Sequence, residues 1–490
     1  MRFIHLVSMK SLRPVLFAML LAAPFTGCVN VDKETATTPT EYWKPSAHAQ
    51  PAEPLSLPTP LPGSRGVQPD DGKLDLPTLV DIALSNNPQT RQAWYSAKAA
   101  AAQIGQVNSQ YYPQITVGAS VNRNKIRGTA FNGQSNGAGT TYSTVYGPSA
   151  EINYLLWNFG KNYAQTEAAR QSLYAANYEY NQSIQDVILA TELAYFNFNA
   201  GLGLVEANTA TLADAQTSYK AADQKLQTGL GNKQDDLQAL AQVKNAEFQL
   251  EQAQNQVETA RSQLARAIGI PVTANLDIVK DQTAVELSQV DKGVSDLIAE
   301  SMRQRPLLMA AYANVQAARY DLAAARADRW PVISTFANLQ YGYASGGVTD
   351  GNPTNNYSVG LQVSWELFTG FNKTYAIIGA QEQERASRES LRSQELQVVS
   401  DVWNFYYSFK SSVHQVESTT AQVTAQQEAY NAIQLGYNTG LNSYVDLLTA
   451  QANLATARQQ KVQADANLGT AISNLAHATG ILPLETYTKK

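Results

Sequence analysis

The 490-residue sequence contains one cysteine, Cys28, and four histidines, which stand at positions 5, 48, 414 and 477. A single thiol cannot form a disulfide within the chain, and the histidines lack the close spacing of metal ligands. No phosphate-binding loop or nucleophile motif is present, and Gly201-Leu202-Gly203 lacks the third glycine of a dinucleotide-binding loop. The sequence therefore predicts a protein that is not an enzyme and that binds no metal or cofactor.

Charge is scarce as well, because charged residues make up 16% of the chain and the net charge is −5 at pH 7. A nucleic-acid-binding surface would need clustered basic residues, so we expect no nucleic-acid partner. Beyond the first residues no uninterrupted apolar run reaches the roughly 18 residues of a transmembrane helix. If the chain spans a membrane, we expect it to do so as a closed β-barrel, which pairs every backbone polar group.

The N-terminus has the pattern of an export signal. Residues 1–27 carry basic residues, then a short apolar run, then small residues before Cys28. This arrangement predicts a lipoprotein signal peptide, with Cys28 acylated as the first residue of the mature chain. Val29 follows in place of an aspartate, which fits passage to the outer membrane. Met1 and Met9 both remain possible starts.

Proline dominates the next segment. Residues 28–73 include eight prolines, and such a composition cannot form a packed core. We predict an extended strap between the lipid and the body of the protein.

The body of the chain consists of two sequence repeats. Residues 228–241 read Thr-Gly-Leu-x4-Asp-x-Leu-x-Ala-x-Ala, and residues 439–452 repeat the same pattern. Seven identities in this spacing indicate a tandem duplication rather than a chance coiled-coil match. We place the two repeats at residues 74–271 and 294–482.

Each repeat contains a pair of segments in which apolar and polar residues alternate. The predicted strands lie at about 113–123, 142–156, 331–343 and 357–368, with glycine- and asparagine-rich loops between the members of each pair, from 123 to 141 and from 344 to 356. Strands of about ten residues with this alternation are typical of a transmembrane β-barrel. Four strands cannot close such a barrel, since about eight is the small limit. The pattern therefore predicts an oligomer, and three copies would supply twelve strands.

Long helical segments follow each strand pair. They run from Lys161 to about Thr228 and from Asn372 to about Asn438 without a proline, which corresponds to about 100 Å of helix. Shorter helices return afterwards, and Gly229 and Gly440 are placed at the hairpin tips because glycine commonly ends a helix.

The duplication, the strand hairpins between long helices and the repeated tip motif resemble the TolC-type outer membrane efflux family over residues 74–482. The lipid-attachment motif at Cys28 resembles the lipoprotein branch of that family. The resemblance implies an α+β membrane protein, in which a trimeric twelve-stranded outer-membrane β-barrel joins a long periplasmic α-helical barrel. It also implies the outer-membrane channel of a tripartite efflux system.

The same resemblance implies partners and site residues. The partners are two further copies of the chain, outer-membrane lipid, a periplasmic adaptor and an inner-membrane pump, with a pump of the RND type favoured over an ABC exporter. Asp235 and Asp446 match acidic residues at the family's periplasmic entrance, and Tyr437 matches a latch tyrosine. Asn442 and Thr449 depart from the arginine and the second aspartate that some members have. Alternatively, both aspartates cap the returning helices.

Two other functions remain open from the sequence. An outlet for type I protein secretion would have the same fold and a different cargo. A structural trimeric stalk or surface adhesin is a more distant alternative, and it would place its strands in one terminal segment rather than in two repeats. The sequence names no transported substrate.

Overall fold

The computed structural model describes residues 74–128, 139–273, 278, 293–345 and 353–480. The predicted signal peptide, Cys28 and the proline-rich strap lie outside these residues. Two repeats with the same order of elements make up the described chain: two shorter helices, a β-hairpin, a long helix and a returning helix.

In the first repeat the elements are α1 (Leu76–Asn86), α2 (Pro88–Asn108), β1 (Gln114–Gly128), β2 (Gly139–Trp157), α3 (Lys161–Gln227) and α4 (Lys233–Ala267). In the second repeat they are α5 (Val294–Gln304), α6 (Pro306–Ala327), β3 (Val332–Ser345), β4 (Pro353–Ser364), α7 (Asn372–Thr439) and α8 (Tyr444–Thr479). The short helices of each repeat meet at a proline, Pro88 or Pro306, which is tolerated at the first helical position because its missing N–H is not needed there.

The two long helices have the predicted extent. Helix α3 has 67 residues and α7 has 68, so each is about 100 Å long. Neither contains a proline. Both begin directly after a residue in the left-handed region, Gly160 with φ 87° and Phe371 with φ 66°, where the backbone turns from the sheet into the helix. Buried alanines along α3, α4 and α8 allow the helices to approach closely.

A hydrophobic core lies where the short first helix packs against the long helices. Leu79 and Ile82 of α1 contact a cluster that includes Val187 and Tyr195 of α3 and Leu264 of α4. An 18-residue window of α3 has a mean hydropathy of 1.2, which by length and composition would suffice for a membrane span and which the sequence pattern did not predict. Of that window, 44% is buried within the structure.

The four strands form one antiparallel sheet in the order β1-β2-β3-β4. Its register separates the residue types by face. One row across the sheet joins Ile115, Ile152, Ala337 and Val359, and the neighbouring row joins Thr116, Glu151, Asn338 and Ser358. One face is therefore apolar and the other polar, as expected for strands with lipid on one side and water on the other. The outer edges of β1 and β4 have no partner strand within the described part of this chain.

The strand ends differ from the predicted ones. Strand β1 continues past the predicted end at residue 123 to Gly128, and β2 begins at Gly139, before the predicted start at residue 142. In the second hairpin β3 continues to Ser345, and β4 runs from Pro353 to Ser364. Polar and charged residues occupy these extensions, so the apolar alternation that marks a strand in the sequence fades before the backbone pairing ends.

Aromatic residues and ion pairs surround the junction between sheet and helices. Phe159 stacks on Trp330 with 5.7 Å between ring centroids, and Trp157 meets Phe159 edge-on at 6.3 Å. Lys161 at the start of α3 forms a 2.5 Å ion pair with Asp328, just beyond the end of α6. At this junction the segment from the end of β2 to the start of α3 in the first repeat thus contacts the segment between α6 and β3 of the second.

Candidate functional site

The ends of the two helical hairpins form the candidate site. Gly229 follows α3 with φ 76°, and Gly440 follows α7 with φ 83°; both values lie in the left-handed region that glycine adopts without strain. The predicted tip glycines therefore stand at the turns. The carbonyl of Gly436 accepts hydrogen bonds from the N–H groups of Leu441 and Asn442, which closes the second tip. Leu441 itself is 85% exposed at the end of the hairpin.

Three buried tyrosines hold the two hairpins together behind the tips. Tyr430 and Tyr437 of α7 and Tyr444 of α8 belong to one hydrophobic cluster, which also includes Ala222 of α3, Ala239 of α4 and three residues of α8, Leu447, Ala450 and Leu454. The rings of Tyr437 and Tyr444 meet with centroids 5.8 Å apart and an interplanar angle of 65°. Burial raises the pKa of Tyr444 to about 12, with further contributions from Tyr437 and the negative charge of Asp235, so its phenol stays neutral.

Tyr437, the predicted latch residue, is contacted by a lysine from the other hairpin. The Lys225 ammonium donates a hydrogen bond to the carbonyl oxygen of Tyr437 and lies 3.9 Å from the centroid of its ring. This contact joins the end of α3 to the end of α7. Burial, followed by the Asp235 charge, raises the pKa of Tyr437 as well. No sequence pattern singled out Lys225, because one lysine in the polar last turn of a helix carries no signal.

Asp446 forms part of a capping box at the start of α8. Its carboxylate accepts hydrogen bonds from the Ser443 N–H at 3.0 Å and from the Ser443 hydroxyl at 2.7 Å, and Ser443 Oγ accepts from the Asp446 N–H at 3.2 Å. These hydrogen bonds lower the pKa of Asp446, so the exposed carboxylate is ionised at neutral pH. The structure thus shows the capping role, and a role in lining the pore stays a prediction for the trimer.

Asp235 occupies the matching position of α4 but makes different contacts. Here Asn232 is the capping residue, and its side-chain oxygen accepts from the Asp235 N–H at 2.8 Å. The Asp235 carboxylate lies close enough to Tyr437 and Tyr444 for its charge to disfavour their ionisation. The two aspartates therefore share a repeat position and differ in surroundings.

Asn442, which stands where some family members have an arginine, packs within its own tip. A Cβ atom on Gly436 would lie 1.8 Å from Asn442 Oδ1 and 2.9 Å from its Cγ. The asparagine side chain therefore covers the backbone of the last turn of α7. A glycine at position 436 is required for this packing.

The chain is duplicated, each repeat has one helix of about 100 Å and a shorter returning helix, and the four-stranded sheet has no partner for its outer strands within the described residues. Such a chain is the subunit of a trimeric channel, in which a twelve-stranded outer-membrane β-barrel joins a helical barrel. The outer membrane efflux protein family matches residues 79–270 and 297–481, more than half of the chain. The chain belongs to the outer membrane efflux protein family.

Individual relatives agree with this assignment over most of their length. Protein CyaE of Bordetella pertussis is 24% identical over 442 residues, which cover 90% of this chain and 90% of the relative. The probable outer membrane lipoprotein SilC of Salmonella typhimurium is 25% identical over 411 residues, 78% of this chain and 80% of the relative. The solved outer-membrane channel OprN matches with a TM-score of 0.73 and 23% identity, over 83% of this chain and 89% of that channel.

The protein is therefore a TolC-type outer-membrane efflux channel with a large periplasmic helical part. Channels of this type assemble as trimers and work with a periplasmic adaptor and an inner-membrane pump. Family membership supports neither a structural stalk nor an adhesin. The match to an efflux family does not favour a protein secretion outlet either.

Proposed function

We propose that this chain forms the exit duct of an RND-type tripartite pump and conducts drugs or other small solutes from the adaptor to the exterior. The observation that carries the proposal is the unbroken length of α3 and α7, about 100 Å each, ending in exposed tips. Helices of this length reach far beyond a bilayer and present their tips to a partner in the periplasm. The duct needs no cofactor, since transport energy comes from the pump.

The preference for an RND pump over an ABC exporter rests on the lipoprotein motif at Cys28. Crosslinking from the tip tests it. Cys28 is the one native cysteine, so Leu441→Cys adds a single further thiol at an exposed tip position. With a heterobifunctional crosslinker in whole cells, the Leu441→Cys channel should capture the adaptor of an RND system.

Leu396→Cys is the matched control, because Leu396 is 66% exposed on α7 but 44 residues away from the tip glycine (440 − 396). It should capture little or no adaptor. Capture of an ABC-exporter adaptor by Leu441→Cys, together with loss of a secreted protein from the medium on gene deletion, would instead assign the chain to type I secretion.

We further propose that Cys28, which lies outside the described residues, carries the lipid anchor. Support comes from its place after Thr26-Gly27 and from the lipoprotein name of the relative SilC. Mass spectrometry of the mature N-terminus should show an acylated Cys28. An unmodified terminus at another residue would contradict the assignment. Cys28→Ser should weaken membrane attachment while the barrel still inserts.

At the entrance, we propose that Asp446, and more weakly Asp235, line the narrowing between three subunits. Their carboxylates would repel one another and attract cations. Tyr437 would stabilise this entrance through the buried cluster next to the tips.

A further inference from the structure

Two cations, Arg123 and Lys125, lie on the largely apolar face of the sheet. In strand β1 alternate residues share a face, and Arg123 and Lys125 continue the series that contains Ile115 and Val121. The register confirms the placement, because Lys125 pairs with Tyr142 just as Val121 pairs with Tyr146. Both cations are exposed, at the end of the sheet away from the helices.

These two side chains converge on one aromatic ring. The guanidinium carbon of Arg123 and the ammonium of Lys125 each lie 5.5 Å from the centroid of the Tyr142 ring. Cations at such distances are attracted by the face of the ring. Tyr142 is 48% exposed, so its hydroxyl is available to a further partner.

The position along the strand places this group at the outer membrane surface. Arg123 is nine residues beyond Gln114, where β1 leaves the junction with the helices, which corresponds to about 30 Å along the strand. At the tilt of about 40° usual in outer-membrane barrels, this is about 23 Å of height, close to the thickness of the apolar band. Cations are unfavourable in the middle of that band and cost little at its edge.

Aromatic residues at both ends of the apolar face agree with this estimate. Trp157, Phe159 and Trp330 cluster at the helix end of the sheet. Tyr146 and Tyr343 stack with centroids 5.8 Å apart at the far end, close to Tyr142 in the register. Such girdles mark the two interfaces of the bilayer. Arg123 and Lys125 therefore lie level with the headgroups of the outer leaflet.

We propose that Arg123, Lys125 and Tyr142 form a binding site for a phosphate group of an outer-leaflet phosphorylated glycolipid. Arginine binds phosphate oxygens in a bidentate manner, and lysine adds a second positive charge. The Tyr142 ring holds both cations and its hydroxyl can donate to the same phosphate. The one acidic residue in the four strands, Glu151, lies in a row on the opposite face and does not neutralise the cations.

Lipid binding to purified trimers tests the proposal. Wild-type trimers would be placed in phosphatidylcholine nanodiscs containing either bis-phosphorylated lipid A or its dephosphorylated form, and bound lipid A would be counted by native mass spectrometry. Wild type should bind the phosphorylated form preferentially. The double variant Arg123→Gln/Lys125→Gln should bind it about tenfold more weakly, because each cation near a membrane surface contributes several-fold to attraction of an anionic lipid.

Lys98→Gln is the matched control. Lys98 also lies over an aromatic ring, 3.5 Å from the Trp94 centroid, but in helix α2 outside the sheet. Its lipid A binding should equal that of wild type. Tyr142→Phe keeps the ring and should lose only part of the binding. If the double variant does not assemble, the two single variants replace it, each with a several-fold loss.

Three results would overturn the proposal: lipid A binding by the assembled double variant equal to that of wild type, equal binding of dephosphorylated lipid A to wild type, or an equal loss in Lys98→Gln. Displacement of lipid A by millimolar inorganic phosphate would assign the site to free phosphate and also refute the lipid assignment. Drug efflux should be unchanged in the double variant, so the outcome is independent of the function proposed above.

Discussion

Lys225 and Tyr437 are 212 residues apart in the chain, yet the Lys225 ammonium both donates a hydrogen bond to the Tyr437 carbonyl oxygen and lies 3.9 Å from the centroid of its ring. The ammonium at the end of α3 thus donates a hydrogen bond to a carbonyl in the last turn of α7. Tyr437 is only 4% exposed, so the contact is shielded on its aromatic side. The two hairpins of one subunit are therefore joined close to their tips.

We expect Lys225→Met to loosen this tie. Methionine keeps the length of the side chain but removes the charge, which costs about 1–2 kcal/mol for a partly buried cation–π contact and its hydrogen bond. The tips should separate more readily, and single trimers in planar bilayers should show higher conductance. Lys220→Met, an exposed lysine of the same helix, is the control and should conduct like wild type. Equal conductance in all three proteins would show that the contact does not restrain the entrance.

Asp446 is proposed to act on the ion pathway, and its capping role can be separated from its charge. Asp446→Asn should lower the cation selectivity of single trimers and remove block by multivalent cations from the periplasmic side, since three carboxylates would disappear from the entrance. Asp235→Asn should have the same effect more weakly.

Ser443→Ala is the matched control, because it removes the capping hydroxyl and keeps the Asp446 charge. It should cost about 1 kcal/mol of stability and leave ion selectivity unchanged. If Asp446→Asn behaves like Ser443→Ala, with lower stability and unaltered selectivity, Asp446 is a helix cap and not part of a pore ring.

Gly436 and Asn442 should be energetically coupled. Gly436→Ala would place a Cβ 1.8 Å from Asn442 Oδ1, so the Asn442 side chain must move, at a cost of about 1 kcal/mol. Asn442→Ala removes the clashing atoms. In the double variant the penalty of Gly436→Ala should largely disappear. A thermal-unfolding cycle of the four proteins measures the coupling, and strictly additive effects would contradict the packing described here.

Glu192 should make stability depend on pH. The side chain is 4% exposed, and burial raises its pKa, although the Ser473 hydroxyl and the charge of His477 partly oppose this. A raised carboxyl pKa means that stability is fully present below the ordinary glutamate value near 4.3 and is lost as pH rises through the folded-state value.

Glu192→Gln, which is neutral at every pH, should therefore melt at a higher temperature than wild type at pH 8. The two proteins should converge in acid. Glu389→Gln, a change at an exposed glutamate of α7, should follow the wild-type curve at all pH values. A melting temperature of Glu192→Gln below that of wild type at pH 8 would mean that the ionised carboxylate is stabilised by its surroundings.

The sequence predicted the long helices and the tips well because their signals are local and repeated. The absence of proline from residue 161 to residue 227 indicates one continuous helix, α3. The tip motif occurs twice with glycine at the turn. The far ends of the strands were predicted less well. The predicted first strand ends at Arg123 because charged and polar residues interrupt the apolar pattern there, whereas backbone pairing continues to Gly128.

Contacts between distant segments carry no local signal. Nothing in the sequence around Lys225 indicates that its ammonium meets Tyr437, because the contact depends on how two separate hairpins pack. The capping box was readable in principle, since Ser443 precedes Asp446 by three residues at a helix start. The predicted capping alternative anticipated this role without naming its partner.

The pairing of β2 with β3 has a consequence for how the channel comes together. That seam joins the two repeats within one chain, whereas the seam between β4 and β1 can form only between chains. A ring of hairpins built from single repeats would need six separate molecules to meet, but the tandem chain needs three. Assembly of the ring therefore depends less steeply on the concentration of the chain. The residues along the β2–β3 pairing and those along the β4–β1 pairing can also change independently. The first pairing then serves folding within one chain, and the second serves recognition between chains.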